Sequence, residues 1–215
     1  FGFSLVASIG NEAVVDTAAL IDYLADDPAT KVIATFTETV RNAERYVAAL
    51  DRAADRGKPV VVLKVGRSAR AERAITSHTG GLAGQSRVFS AMLRAHRAIE
   101  VADMDELSEV LAVCQGRHWP RGRRIGVVTG SGGQAELILD VATANGIDLP
   151  PLSATDRTTV AATIGVLTGD GNPLDCWGHG NWKVNTPLAL TTLRESEGHD
   201  AVVLCQDNFD DQPMI

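Results

Sequence analysis

One stretch of the sequence limits the fold more than any other: the near-continuous apolar run Val60-Val61-Val62-Leu63-Lys64-Val65. Gly57-Lys58-Pro59 comes directly before it and ends the preceding helical pattern, because glycine and proline both disfavour helix interiors. A strand with one face in water would alternate polar and apolar residues. This run does not alternate, which predicts a strand buried on both faces, as in a parallel sheet covered by helices.

Similar runs recur along the chain, and helical patterns separate them. Further strands are predicted at residues 3–9, 31–36, 98–101, 124–129, 147–149 and 201–205. Helices are predicted at about residues 17–24, 84–94, 104–114, 134–144 and 187–195, with one more after Asn42 and one from Ser153 or Thr155 to about 164. Residues 115–124 contain Pro120 and four arginines and are the best linker candidate. This alternation predicts an α/β chain of two doubly wound parallel-sheet domains, residues 1–118 and 123–215.

Composition narrows the class of protein. The formal net charge of −7 over 215 residues does not favour a nucleic-acid partner, which calls for a basic patch or stripe. No apolar run approaches the length of about 20 residues that spans a bilayer, so no membrane partner is expected. The three cysteines show neither a disulfide framework nor metal-ligand spacing, which indicates a reducing, cytoplasmic setting. The chain begins at Phe1 within what looks like a domain, so we expect a piece of a longer polypeptide.

Three features are expected beyond the carboxyl ends of strands, where parallel sheets bind ligands: Glu38, the His78 segment and Gly130-Ser131-Gly132-Gly133. His78 lies among small and hydroxyl-bearing residues ahead of a predicted helix, which leaves room for a phosphoryl group on the ring. Helix starts would supply positive partial charge, and a carboxylate such as Glu38 would orient the other ring nitrogen. A solvated loop histidine and a solvated loop glutamate are the simpler alternatives.

Residues 130–135 also fit the loose dinucleotide pattern Gly-x-Gly-x-x-Ala between a strand and a helix. That reading requires an acidic residue at the end of the next strand, but Asp148 lies inside a very short one. A turn that holds phosphate without a nucleotide fits the same residues. His96, His118 and His199 show no ligand spacing and are interpreted as surface or core residues.

The sequence resembles the nucleoside-diphosphate-forming acyl-CoA synthetases, the relatives of succinyl-CoA synthetase, including the ADP-forming acetate–CoA ligases. The resemblance rests on residues 64–68 and 77–84, with weaker pieces at 8–12, 23–28, 129–133 and 171–175 in the family's order. It implies two flavodoxin-like domains, with His78 as the phosphoryl carrier and Glu38 as the residue that braces it. It also implies two phosphate cradles, formed by Ser77, Thr79, Gly80 and Gly81 and by Ser131, Gly132 and Gly133.

The same resemblance implies that the chain is the phosphoryl-relay core of an acid–thiol ligase, inactive by itself. The whole enzyme would use ATP or ADP, CoA, Mg²⁺ and a small carboxylic acid or its acyl-CoA, and would form an oligomer. Its CoA-binding and ATP-grasp domains would lie elsewhere on the polypeptide or on a partner subunit. Residues 176–182 depart from the commonest family pattern, which leaves the acyl substrate open. A non-catalytic regulatory module of a protein lysine acyltransferase is the alternative within this resemblance.

Overall fold

The computed structural model describes residues 2–68, 86–116, 118–120, 122–167, 169–177 and 180–206. By its internal contacts the chain divides into two compact units, Phe1–His118 and Trp119–Ile215. Strands and helices alternate through both units, and every strand pairing is parallel. The parallel α/β architecture predicted from the apolar runs is therefore confirmed. No helix among the described residues is long and apolar enough to cross a membrane.

The first unit contains a three-stranded sheet in the order β1-β2-β3. Its elements are α1 (Thr17–Asp26), β1 (Ile33–Thr37), α2 (Ala43–Asp55), β2 (Val60–Lys64), α3 (Ser86–Ala95), β3 (Ile99–Val101) and α4 (Met104–Cys114). Asp16 and Asn42 are the N-caps of α1 and α2, as predicted, and accept hydrogen bonds from Ala19 N and Arg45 N. Each cap satisfies a backbone N–H that would otherwise lack a partner.

The apolar run Val60–Lys64 forms the central strand β2, and all five of its residues are buried. Val60 and Val62 pack into one core with residues of α1, α2 and α3. Val61 and Leu63 point to the opposite face and join a second core with residues of α4. Helices therefore cover both faces of the sheet, which is why a strand with no polar alternation is stable here.

The strand predicted at residues 3–9 is wrong. These residues pair with no strand of the described chain, and Phe3 and Val6 are 76% and 77% exposed. The run contacts the rest of the unit through side chains instead, as in the 2.7 Å hydrogen bond between the Ser4 and Thr30 hydroxyls. Apolar content alone does not form a strand, because a strand also needs a neighbour for its backbone hydrogen bonds.

The second unit contains a three-stranded sheet in the order β5-β4-β6. Its elements are β4 (Ile125–Thr129), α5 (Gly132–Ala144), α6 (Ala154–Ile164), β5 (Leu174–Asp175), α7 (Trp182–Glu195) and β6 (Ala201–Cys205). One core forms where α6 and α7 cover β4 and β5, around Val128, Val160 and Leu193. Ser153 is the N-cap of α6, one of the two caps predicted there.

Two predictions for the neighbours of β4 need correction. The strand expected at residues 147–149 is reduced to a single bridge between Asp148 and Arg124. The segment 171–175, which was not among the predicted strands, supplies β5, which pairs with β4 through Leu174 and Asp175. Between these contacts the Asn172 side chain takes the place of a strand: Oδ1 accepts from Val127 N at 2.9 Å, and Nδ2 donates to Ile125 O at 2.8 Å.

Candidate functional site

The predicted site residues fall into two groups. Glu38, Ser131, Gly132 and Gly133 belong to the described residues. The His78 segment, with Ser77, Thr79, Gly80 and Gly81, lies outside the described residues. The described part of the first unit therefore shows the ends of β1 and β2, from which the chain leaves toward that segment.

Glu38 lies where the sequence placed it, directly after β1 at the carboxyl end of the sheet. Its side chain is exposed and makes no hydrogen bond or ion pair with another described residue. Its backbone is fixed, because Glu38 O accepts a 2.8 Å hydrogen bond from the Lys64 ammonium. An exposed carboxylate on a fixed backbone can accept a hydrogen bond from a group at this end of the sheet.

The chain leaves β2 beside Glu38. Val65 N donates to Thr37 O at 3.1 Å, which continues the β1–β2 pairing by one residue. Gly66 then adopts a φ of 75°, a left-handed conformation that favours glycine and turns the chain out of the sheet. Arg67 follows, and its guanidinium lies 3.6 Å from a Glu100 carboxylate oxygen on β3. The loop toward residue 78 thus starts from a defined position at the end of β2.

In the second unit, the glycine turn is the start of a helix. The structure begins α5 at Gly132, two residues before the predicted start at Gln134, and Ser131 is its N-cap without a side-chain cap bond. The N–H groups of the first helical turn lack partners within the helix. Gly132 and Gly133 are exposed, so these donors and the positive end of the helix dipole face solvent. This arrangement can hold an anion.

Hydrogen bonds from the end of β4 fix this turn. Thr129 is buried, and its hydroxyl donates to Gln134 Oε1 at 2.6 Å while accepting from Ser131 N at 3.3 Å. The strand end and the first turn of α5 are therefore joined through one threonine side chain. A glycine turn held in this way keeps its exposed N–H groups in place before any ligand arrives.

Asp175 lies at the glycine turn and was not among the predicted site residues. It pairs in register with Thr129, so its side chain leaves the sheet beside the start of α5. Its Oδ2 is 3.7 Å from the position that a Cβ on Gly132 would occupy, and its Oδ1 accepts from Trp177 N at 2.9 Å. A carboxylate in this position weakens the attraction of the turn for a second anion. The sequence has no local signal for this position, because the pairing of Asp175 with Thr129 is a contact across 46 residues.

The dinucleotide reading of residues 130–135 finds no support in the position of Asp148. Ile125 N donates to Asp148 O at 2.9 Å, so Asp148 lies beside the amino end of β4. The glycine turn lies beyond the carboxyl end of that strand. An acidic residue that binds a ribose would have to lie at the carboxyl end, near the turn.

His96 and His199 have structural surroundings, whereas His118 is exposed. His96 Nδ1 lies 2.9 Å from an Asp51 carboxylate oxygen. His199 packs against Gly126, and its burial lowers the pKa of the imidazole. Among the described residues, no group of three or more His, Cys, Asp or Glu side chains could hold a metal ion.

The general class of this protein is a parallel α/β protein of two units, with an exposed carboxylate or an exposed glycine turn at the carboxyl end of a strand in each. Its family is shown by comparison: residues 1–114 match the model of the succinyl-CoA ligase-like flavodoxin domain. The chain belongs to this family, which confirms the resemblance drawn from the sequence and the flavodoxin-like fold it implied.

Curated relatives extend the match over nearly the whole chain. ADP-forming acetate–CoA ligase II of Archaeoglobus fulgidus is 29% identical over 208 residues, which are 95% of this chain and 30% of that protein. The alpha subunit of ADP-forming acetate–CoA ligase II of Pyrococcus furiosus is 32% identical over 175 residues, which are 81% of this chain and 38% of that subunit. The chain thus spans well under half the length of these two relatives.

A solved structure agrees with the fold. The dinucleotide-forming acetyl-coenzyme A synthetase 1 of Ca. Korarchaeum cryptofilum, in complex with phosphate and ADP, superimposes with a TM-score of 0.81 at 22% identity. The superposition covers 93% of this chain and 43% of that one. At this identity the likeness establishes the fold alone.

Proposed function

We propose that this chain is the phosphoryl-relay core of an ADP-forming acyl-CoA synthetase. The reaction would be acyl-CoA + ADP + phosphate ⇌ carboxylic acid + CoA + ATP, with His78 as the transient phosphoryl carrier. The observation that carries the proposal is the match over 95% of the chain to a protein named as an ADP-forming acetate–CoA ligase. In the proposal, residues 1–118 form the phosphohistidine domain and residues 123–215 a second CoA-ligase domain.

The proposed chemistry has three displacements. A phosphate oxygen attacks the thioester carbonyl carbon, the C–S bond breaks, and CoA leaves with an acyl phosphate formed. An imidazole nitrogen of His78 then attacks phosphorus, the P–O bond to the acyl group breaks, and the carboxylate leaves. Finally a terminal phosphate oxygen of ADP attacks phosphorus, the P–N bond breaks, and ATP and free imidazole result. Histidine suits this role because imidazole is a good nucleophile and its phosphoryl bond is labile.

In this proposal Glu38 accepts the N–H of the other His78 ring nitrogen, which orients the ring and raises its basicity. The support is its position directly after β1, with an exposed carboxylate on a backbone fixed by Lys64. Ser131, Gly132 and Gly133 would hold the phosphoryl group in one cradle, which is supported by the start of α5, where the N-cap Ser131 makes no side-chain cap bond. The Asp175 carboxylate beside Gly132 would oppose this binding. Ser77, Thr79, Gly80 and Gly81 would form the other, which rests on the sequence alone.

We propose that nucleotide and CoA are bound mainly by domains outside these residues, on the same polypeptide or on a partner subunit. The chain spans only 30% of the first relative and 38% of the second, which supports this division. Mg²⁺ would neutralise nucleotide phosphates. No group of three or more acidic, histidine or cysteine side chains among the described residues could bind it. The three free cysteines support a reducing, cytoplasmic setting.

Phosphorylation of the full-length protein tests the proposal. Incubation with ATP labelled in the γ-phosphate and Mg²⁺ should give a protein-bound phosphoryl group that is labile in acid and stable in base. His78→Ala should abolish this label, whereas His118→Ala, at an exposed histidine, should leave it unchanged. Label that survives His78→Ala would refute the assignment. An unlabelled wild-type protein would favour the regulatory-module alternative.

The role of Glu38 has a separate test. Glu38→Gln should slow formation of the phosphohistidine about 10- to 100-fold, the usual effect of losing a residue that orients a reactive histidine. Glu109→Gln changes an exposed glutamate of α4 and is the matched control. Equal labelling rates in these two variants would remove Glu38 from the mechanism while leaving His78 in place.

A further inference from the structure

Lys64, the last residue of β2, is a buried lysine at the carboxyl end of the sheet. It is 7% exposed, whereas lysine is almost never buried unless its ammonium has partners, because removal of the charge from water is unfavourable. A lysine on a surface would satisfy its charge with water alone. Its ammonium must therefore have partners within the protein at this end of the sheet.

The ammonium joins two backbone segments. Lys64 Nζ donates to Glu38 O at 2.8 Å and to Val65 O. These carbonyl groups belong to the residues that directly follow β1 and β2, the two strands from which the candidate site departs. The ring of Phe89 lies 5.7 Å from Nζ, so an apolar group from α3 shields the ammonium on another side. Charge-assisted hydrogen bonds in such surroundings are stronger than neutral ones in water.

We infer that Lys64 is a positioning residue that acts through Glu38. By holding the Glu38 carbonyl, its ammonium sets where the Glu38 backbone leaves the sheet and hence the volume that the carboxylate can reach. The same ammonium holds Val65, at the start of the loop that leads toward residue 78. This inference rests on the proposed function, because it assigns Lys64 to the same phosphoryl-transfer site.

Lys58 provides an internal control for this inference. Its ammonium also donates to two backbone carbonyls, Leu24 O at 2.8 Å and Asp27 O at 2.5 Å. Lys58 lies two residues before β2 begins, beside the amino end of that strand, whereas Lys64 lies at its carboxyl end. Both ammonium groups thus donate to two backbone carbonyl groups in the same unit. Only Lys64 lies at the end of the sheet where Glu38 is found.

The experiment compares Lys64→Met with Lys58→Met in the full-length protein. Methionine keeps an unbranched, mostly apolar side chain but donates no hydrogen bond. Both variants should unfold at lower denaturant concentration than the wild type. Only Lys64→Met should also lower the rate of phosphohistidine formation at saturating ATP, by about 10-fold or more, with the half-saturating ATP concentration unchanged. A lysine that only stabilised the fold would not lower the rate at saturating ATP while it left the half-saturating ATP concentration unchanged.

Equal phosphorylation rates in Lys64→Met and Lys58→Met would overturn the inference and leave the proposed function standing. If the wild type forms no phosphohistidine, the proposed function itself fails. Should Lys64→Met not fold, Lys64→Gln and Lys58→Gln replace the pair. Glutamine is too short to keep both carbonyl contacts, so the rate should again fall only for the change at position 64, and equal rates would again refute the role.

Discussion

The hydroxyl group of Tyr46 is buried in the first core and makes no hydrogen bond of ordinary length and angle among the described residues. The Thr37 and Thr35 side chains lie near enough to oppose the rise of its pKa only weakly. Its ring packs against Phe89 with the two centroids 6.2 Å apart. Burial is the main cause that raises the pKa of Tyr46 to about 12. A buried hydroxyl without a partner is unfavourable by about 1–3 kcal/mol. Tyr46→Phe should therefore leave the free energy of unfolding unchanged or raise it by about 1 kcal/mol.

Tyr46→Phe should also change the response to alkali. An unfolded tyrosine loses its proton near pH 10, whereas Tyr46 keeps its proton to about pH 12, so the first unit should lose stability between these values. The loss should be about 1.4 kcal/mol by pH 11 in the wild type, because one pH unit above the unfolded pKa corresponds to that free energy, and it should be smaller in Tyr46→Phe. Urea unfolding at pH 8 and pH 11 measures it. Tyr23→Phe, at a side chain that is 65% exposed, should behave like the wild type. A steep alkaline loss in Tyr46→Phe would contradict this assignment.

Some residue roles could be read from the sequence and others could not. Asp16 and Asn42 were predictable as caps because a cap depends on the few residues that follow it. The position of Glu38 was predictable because it depends only on where β1 ends. The role of Lys64 was not, since its partner Glu38 O is 26 residues away and is brought near only by strand pairing. Asn172, which reaches Ile125 across 47 residues, escaped prediction for the same reason.

The short strand β5 depends on the glycine turn before it. Gly171 has a φ of 78°, and a Cβ there would lie 2.8 Å from Cδ1 of buried Leu152. Gly169 has a φ of 53° with open space around it. Gly169→Ala should therefore reduce stability by about 1 kcal/mol through backbone strain alone. Gly171→Ala should reduce it by about 2–4 kcal/mol, because strain and overpacking add. Urea unfolding followed by tryptophan fluorescence compares them, and equal losses would argue against the Leu152 contact.

At the level of elements, long apolar or strongly patterned segments were predictable and short ones were not. The helix at residues 104–114 and the strand at 201–205 match the observed α4 and β6. Residues 147–149 were predicted as a strand and form only a bridge, whereas residues 174–175 were not predicted and form β5. Each segment is only two or three residues long, so neither has a distinctive pattern. Which of them pairs is decided by the Asn172 contacts and the packing of Leu174, neither of which has a local pattern.

At the scale of the whole chain, the aromatic residues separate the two units. Both tyrosines, Tyr23 and Tyr46, lie in Phe1–His118, and all three tryptophans, Trp119, Trp177 and Trp182, lie in Trp119–Ile215. Tryptophan fluorescence therefore reports only the second unit, and tyrosine absorbance only the first. The unfolding of the two units can be followed separately in the intact chain.

This separation allows a test of the acid response of the second unit. Arg124 donates to both Asp200 oxygens, from NH2 at 2.8 Å and from Nε at 3.1 Å, and thereby lowers the pKa of Asp200 to about 2. The carboxylate therefore stabilises the fold above about pH 4, and this stabilisation is lost as the pH falls toward 2. Asp200→Asn should reduce this acid dependence in tryptophan fluorescence and leave the tyrosine signal unchanged. Asp140→Asn, at an exposed position, is the control, and an identical acid response in both variants would contradict the prediction.

The Asn172 amide, which stands in for a strand beside β4, has a consequence for deuterium exchange. The Val127 N–H is protected by a side chain that also donates to Pro150 O at 2.8 Å. Its rate of isotope exchange therefore measures how often the segment around Asn172 undocks from the sheet. The neighbouring amides paired between β4 and β6 measure the separation of two strands instead. Adjacent positions of one strand would thus report two different opening motions of the same unit.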